Sequence, residues 1–364
     1  MKKVKMILTN RFDPDPRVYK EAKYLNSIGI QVEILCWDRE NEYLERETEN
    51  VEGINIKRFY PYSKYGSGLK QIGAYFSFKK QVKQYLKNKD YDYIHCHDLD
   101  GAVVGCLIKN KKSKMIFDMH EFYEGQGKKQ KIKLFIRYIV NYLHDKSDFI
   151  IYLNDVQKYS MKRANLEKLI FLPNYPEREN YINCEKIRDD KLRISYIGAV
   201  RQYDELMNLM NACKEMEDVH ISIHGAGVSY FKLKEVEDKY KNVEITGKYH
   251  YSESCELYKR TDILYAAYNE HIENWKNAYP IKLFEAIITK TPIIVNKDTA
   301  LEKIVTENII GFSVDVGNVE KIKFLINHIN KNRYVIAEKE DNLSEMQYNY
   351  IWEDVVKNLN NIYC

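Results

Sequence analysis

Four groups of residues have types and spacings suited to chemistry on a phosphorylated, hydroxyl-rich ligand. The strongest is Asn277-Ala278-Tyr279-Pro280-Ile281-Lys282-Leu283-Phe284-Glu285. Pro280 suits the first position of a helix, where its missing N–H costs nothing. The free amides and partial positive charge of a helix start attract phosphate, and Lys282 adds a full charge in the same turn. Glu285, one turn on, offers two acceptor oxygens that suit a ribose diol. The competing reading is a solvated face of an amphipathic helix. Two glycine turns support a phosphate site, Ile197-Gly198-Ala199-Val200-Arg201 and His224-Gly225-Ala226-Gly227, although each alone is a weak signal.

The other three groups lie in the first half of the chain. Arg11-Phe12-Asp13-Pro14-Asp15-Pro16-Arg17 is a stiff turn that sets Arg17 at the start of a helix, facing a crevice. Asp13 and Asp15 lack the third ligand a metal site needs. His95-Cys96-His97-Asp98-Leu99-Asp100 ends a strand, and one of the two histidines is expected to line the crevice. Asp98 and Asp100 form a D-x-D, a pattern with which some sugar-transferring enzymes hold a divalent metal. Leu99, however, begins a helix, so Asp98 is expected as its N-cap. Asp118-Met119-His120-Glu121-Phe122-Tyr123 leads into a loop with Gly125 and Gly127. A histidine there suits a sugar hydroxyl or a phosphate.

All of these groups follow short apolar runs, and the runs define the elements that must hold them. In the first half the expected strands are 4–9, 32–37, 54–59, 93–97, 115–119, 149–153 and 169–172. In the second they are 192–200, 220–224, 243–246, 263–267, 292–295 and 312–314. Amphipathic helices alternate with them, and strands this apolar imply parallel sheets covered on both faces. The fold class is therefore α/β, with two doubly wound, Rossmann-like domains facing each other across a cleft. Ligands of such sheets bind beyond the carboxyl ends of the strands. Pro173-Asn174-Tyr175-Pro176 and the charged residues after it make the joint. The expected division is 1–176, 177–341 and a terminal helical segment, 342–364.

Composition narrows the function. Of the 364 residues, 57 are basic and 53 acidic, a balance too mild for a dedicated nucleic-acid protein. The charge is unevenly spread: residues 1–190 carry a net +8 and the remainder a net −4. Seven scattered cysteines without a CxxC pair point to a reducing cytoplasm rather than a disulfide framework or a zinc site. No stretch approaches the ~20 apolar residues of a membrane span. The segment 128–143 combines Lys128, Lys129, Lys131, Lys133 and Arg137 with apolar residues at helical spacing. It reads equally as a cover for the sheet or as a helix lying on an anionic membrane surface.

In order and spacing these motifs resemble the retaining glycosyltransferases of the GT-B fold, specifically glycosyltransferase family 4 ("group 1"). The resemblance takes in Pro14-Asp15-Pro16-Arg17-Val18, Ile94 to Asp98, Asp118 to Glu121, Tyr196-Ile197-Gly198, the 224–227 turn and Pro280 to Glu285. It implies a nucleotide-diphosphate sugar donor in the second domain, with no cofactor and no bound metal. It also implies a glycan or lipid-linked acceptor in the first domain and transfer with retention, as in cell-surface polysaccharide or glycolipid synthesis. By position His120, Arg201 and Lys282 are the catalytic candidates. Gly198, Gly225, Gly227, Asn277, Pro280, Ile281 and Glu285 are the donor-binding ones. Arg17, His97 and Glu121 are candidates on the acceptor side. The terminal helix would brace the first domain, and the protein would be cytoplasmic, peripheral on the inner face of the membrane.

Two positions depart from the family pattern. Asn277 stands where a glutamate is usual, and Met207 where a lysine often follows the arginine. These departures keep two alternatives open: a non-catalytic sugar-nucleotide-binding subunit, or a nucleotide-sugar epimerase of the same architecture.

Overall fold

The computed structural model describes residues 1–13, 15–64, 66–123 and 130–364. The chain divides into two compact units, residues 1–173 with 355–364, and residues 174–354. The helical segment expected over 342–364 is instead broken. Tyr334–Met346 forms one helix, an irregular stretch follows, and the chain is helical again from Trp352 to Tyr363. Residues up to 354 stay with the second unit, and only the last ten belong to the first.

The first unit is built on eight strands: β1 (Lys3–Leu8), β2 (Gln31–Trp37), β3 (Thr48–Val51), β4 (Ile54–Phe59), β5 (Tyr93–His97), β6 (Lys114–Asp118), β7 (Phe149–Tyr152) and β8 (Leu169–Phe171). Their order is β3-β4-β2-β1-β5-β6-β7-β8, and every pairing is parallel except β3 with β4. The chain leaves β1 toward β2 on one side and returns to β5 on the other. The topological switch therefore lies between β1 and β5, where ligands of such sheets gather. The helices that connect its strands include α1 (Pro16–Ser27), α2 (Ile72–Leu86), α3 (Asp98–Ile108), α4 (Gln130–Lys146) and α5 (Asp155–Ser160). β5 is buried at every residue, as a central parallel strand must be. Trp37, stacked on Phe78 of α2 at 5.5 Å, anchors one face of the core. Asp15 starts α1 by accepting the amides of Arg17 and Val18, a direct N-cap.

The second unit has six strands, all parallel: β9 (Leu192–Ile197), β10 (Val219–His224), β11 (Val243–Gly247), β12 (Ile263–Ala266), β13 (Ile293–Asn296) and β14 (Gly311–Val314). Their order is β11-β10-β9-β12-β13-β14, with the switch between β9 and β12. The helices are α6 (Tyr203–Cys213), α7 (Tyr230–Lys234), α8 (Ser254–Lys259), α9 (Glu273–Lys276), α10 (Ile281–Ile288), α11 (Ala300–Glu307), α12 (Val319–Lys331) and α13 (Tyr334–Met346). Leu192, Ile194 and Tyr196 of β9 and Ile221 and Ile223 of β10 pack with Leu206, Leu209 and Met210 of α6 into one core. Met207 joins that packing from the partly buried rim.

Candidate active site

In the second unit the candidate donor residues gather at the carboxyl end of β9. Gly198 follows that strand with φ +129°, and Gly225 follows β10 with φ +136°. Both need the left-handed region that glycine alone enters freely. A Cβ on Gly225 would sit 1.9 Å from the Gly198 carbonyl oxygen, so the two turns are pressed backbone to backbone. Gly227 is packed in the same way, against the Val200 carbonyl. Arg201, after the β9 turn, is exposed and has no ion-pair partner among the described residues.

α10 begins at Ile281, and Pro280 is its N-cap rather than its first helical residue. Pro280 has extended ψ (152°), so the helix opens one residue later than the proline rule suggested. Pro280 itself has no side-chain acceptor with which to cap this start. Lys282 lies in the first turn, buried, with no hydrogen-bond or ion-pair partner among the described residues. Its Nζ stands 3.8 Å over the Tyr196 ring and 5.6 Å from that of Tyr268, a cation–π cradle. A side chain on Gly198 would press against this ammonium at 3.4 Å. Burial pushes the Lys282 pKa down to about 7, with Glu285 opposing the shift.

Glu285 is buried one turn further on. The Tyr181 hydroxyl donates to its Oε1 at 3.1 Å and the Tyr258 hydroxyl to its Oε2 at 3.0 Å. Burial raises the Glu285 pKa, while the tyrosine hydroxyls and then Lys282 work the other way. Asn277 is half-buried in the connection from α9 to α10. The tyrosine setting of Lys282 and Glu285 had no local signal in the sequence, since Tyr181, Tyr196, Tyr258 and Tyr268 come from four separate segments.

In the first unit the strand ends converge on a buried polar cluster. Arg17 donates from Nε and Nη2 to the two oxygens of Asp118 at 3.1 and 2.8 Å, and from Nη1 to the Leu172 carbonyl at 3.0 Å. Its Nε also lies 3.1 Å from Glu21, one helical turn along α1. Arg17 thus does not face an open crevice; it is enclosed and held against Asp118 and Glu21. His95 and His97 are fully buried and stacked at 4.4 Å, so neither is open to an acceptor. The Tyr363 hydroxyl lies 2.9 Å from His95 Nδ1. Burial, and for His95 also His97, holds both histidines below the usual histidine range.

His120, just past β6, is mostly buried. Its Nε2 lies 3.2 Å from Asp118 Oδ2 and 3.3 Å from His97 Nδ1. Its Nδ1 lies 3.4 Å from Asp98 Oδ2. Burial disfavours the imidazolium, but Asp98 and Asp118 outweigh it and raise the pKa to about 10. Burial alone would raise the Asp118 carboxyl too; Arg17 and then His120 hold it well below the usual range. Glu21 moves the opposite way, pushed up by burial and by Asp118.

Asp98 does not cap α3. His97 holds the N-cap position, and the Asp98 carboxylate instead accepts the Tyr123 hydroxyl at 2.6 Å. Glu121 is exposed and lines a pocket of about 430 Å³ with Asn10, Arg39, Asp98, Asp100 and Tyr123. Asn10 and Arg39 also line an adjoining pocket of about 290 Å³ against Trp37. The loop glycines Gly125 and Gly127, with Lys128 and Lys129 of the basic segment, lie outside the described residues.

Glu21, His95, His97 and Asp118 bring potential ligand atoms within 4.8 Å of one another. The Arg17 guanidinium already lies against Asp118 and Glu21 in this cluster. Glu21 escaped the sequence reading, although its i, i+4 spacing from Arg17 is the pattern of a helical ion pair.

The fold of the whole chain is that of solved glycosyltransferases. Sucrose-phosphate synthase from Thermosynechococcus elongatus superposes with a TM-score of 0.78 at 12% identity, covering 100% of this chain and 98% of that one. HepE from Anabaena, solved in complex with UDP-glucose, gives 0.74 at 12% identity, covering 100% and 99%. WaaG, a glycosyltransferase involved in lipopolysaccharide biosynthesis, gives 0.71 at 12% identity, covering 99% of both. In sequence, residues 17–174 match the family model for Glycosyltransferase Family 4, and residues 177–350 that for Glycosyl transferases group 1. The chain belongs to the group 1 glycosyl transferases. No curated protein matches it in sequence.

Proposed function

We propose that the protein moves a sugar from a nucleoside-diphosphate donor, bound by the second unit, to a hydroxyl of a glycan or lipid-linked acceptor bound by the first, with retention and without a metal. One observation carries this reading: Lys282 is a buried amino group in the first turn of α10, beside the Gly198 backbone, with no hydrogen-bond or ion-pair partner among the described residues. Leaving a cation there without an anion is costly, and a diphosphate supplies that anion. Arg201 is a second cation at the end of β9, and the Glu285 carboxylate suits the ribose hydroxyls. In this mechanism Lys282, Arg201 and the helix amides stabilise charge on the departing diphosphate. The acceptor hydroxyl attacks from the face that the diphosphate leaves.

HepE is solved with UDP-glucose, which makes that compound the first donor to try here. Purified protein is incubated with UDP-glucose, and UDP release is followed with and without candidate acceptors. Release that is lost in Lys282→Ala and in Glu285→Ala supports the reading. Full rates in either variant overturn the assignment, and binding without any turnover favours the non-catalytic subunit.

A membrane-borne acceptor is supported by α4. Ile132, Leu134, Phe135, Tyr138 and Tyr142 are all exposed along it, interspersed with Lys133 and Arg137. Leu69, Ile72 and Phe76, in and just before α2, are exposed as well. An exposed apolar stripe with basic neighbours suits an anionic bilayer surface. Among the described residues no helix is long and apolar enough to cross a membrane.

A further inference from the structure

Asp98 has an unfavourable backbone. It opens α3 with φ +63°, in the left-handed region that L side chains avoid. The usual compensation for an aspartate at this place, helix capping, is not what its carboxylate does: the N-cap is His97, whose side chain makes no capping bond. The carboxylate enters a closed ring instead. The Tyr123 hydroxyl donates to Asp98 Oδ1 at 2.6 Å, and the same hydroxyl oxygen accepts the His120 backbone N–H at 3.2 Å. Asp98 Oδ2 then stands 3.4 Å from His120 Nδ1. On the far side of the imidazole, Nε2 meets Asp118 Oδ2 at 3.2 Å. His120 is thus held at its backbone and at both ring nitrogens.

We propose that Asp98 is a positioning residue whose strained backbone aims a carboxylate that locks His120 in place as an imidazolium, so that the site offers a fixed positive charge and not a base. The inference rests on the transferase reading above.

Among the described residues the groups facing His120 come from four elements: Asp98 from α3, Asp118 from β6, His95 and His97 from β5, and Arg17 and Glu21 from α1. Arg17 opposes the imidazolium but is matched against Asp118, and His97 is kept neutral by burial. Burial and Asp118 also push Glu21 toward its protonated form. The two carboxylates in contact with the ring therefore decide its state. A ring with protons on both nitrogens has no lone pair with which to take the acceptor's proton. Backbone strain at such a position is retained only where surrounding contacts enforce it.

The test uses the full-length protein. Asp98→Asn keeps the side chain's size and its oxygen for Tyr123 but removes the charge. The His120 titration midpoint, read by NMR of the imidazole, is expected to fall by about one pH unit or more. In the same variant kcat is expected to fall about tenfold, with the donor KM changed less than about threefold. Asp98→Gly relieves the strain and deletes the carboxylate. It is expected to melt above Asp98→Ala, which lacks the carboxylate but keeps the strain, while losing the same activity. An unchanged His120 midpoint in Asp98→Asn overturns the proposal, and so does an Asp98→Gly variant whose rate falls only as its stability falls. The NMR and melting measurements need no substrate, so a wild-type protein without turnover would count against the transferase reading and not against the lock.

Discussion

The titration of Lys282 should make donor affinity depend on pH in a defined way. Burial places its pKa at about 7 in the free protein, so near neutrality about half the molecules carry a neutral amine. A bound diphosphate returns the ammonium to its preferred charged form. Binding is then coupled to proton uptake, and the affinity belongs to the protonated fraction. Below pH 7 the affinity levels off; above it, affinity falls toward tenfold per pH unit. From pH 7 to pH 9 the loss is about fifty-fold, or about 2.3 kcal/mol. UDP-glucose is the suitable probe, because its phosphodiester groups do not titrate in this range. Isothermal titration calorimetry from pH 6 to 9, in two buffers of different ionisation enthalpy, reads both the affinity and the protons taken up. Lys282→Met should bind more weakly and lose the pH dependence. The folded protein's stability should move with the opposite sign. The unfolded chain keeps the Lys282 proton up to the ordinary lysine pKa, so this residue's contribution to stability grows as pH rises from about 7 toward 10. A wild-type affinity flat from pH 6 to 9, with no proton uptake, would refute the reasoning.

Three further outcomes are expected. Tyr258→Phe removes a hydroxyl from the buried Glu285 carboxylate and should cost about 1–3 kcal/mol in chemical denaturation, together with a weaker donor KM. Gly225→Ala forces a Cβ onto the Gly198 carbonyl at a backbone angle alanine rarely adopts, and should destabilise the protein by roughly 3 kcal/mol or more while abolishing UDP binding. Phe135→Glu with Tyr138→Glu alters only exposed positions on α4, so the melting temperature should hold while flotation with anionic liposomes at low salt is lost. Equal flotation of this variant and wild type would remove α4 from the membrane reading.

Much of the scaffold was legible because central parallel strands must be apolar on both faces. Ile54–Phe59 and Tyr93–His97 are strands with the expected limits, and β9 differs from expectation only in ending before the Gly198 turn. β3 was not legible: Thr48-Glu49-Asn50-Val51 is polar and sits at the sheet edge, paired antiparallel on one side only. The candidate residues on α10 and the glycine turns were visible because their chemistry is local in sequence. Their environments were not. Asp98 obeys the capping rule in sequence, but a phenol 25 positions away draws its carboxylate elsewhere. Arg17 and His97 looked available at strand ends, yet Asp118, Glu21 and Leu172 enclose the first, and the second is wholly buried. Met207 reads as a missing charge in the sequence; in the fold it packs against the core of the second unit.

The contact between Tyr363 and His95 spans 268 positions, and Lys2 also donates to the Tyr363 carbonyl. Residues 355–364 complete a unit whose other 173 residues are synthesised before the entire second unit. During translation that early portion therefore waits with His95 uncovered, and its final closure depends on the ribosome having finished everything in between. An expression plasmid encoding residues 1–173 alone should yield a loosened, aggregation-prone product, and adding 355–364 as a separate peptide should tighten it.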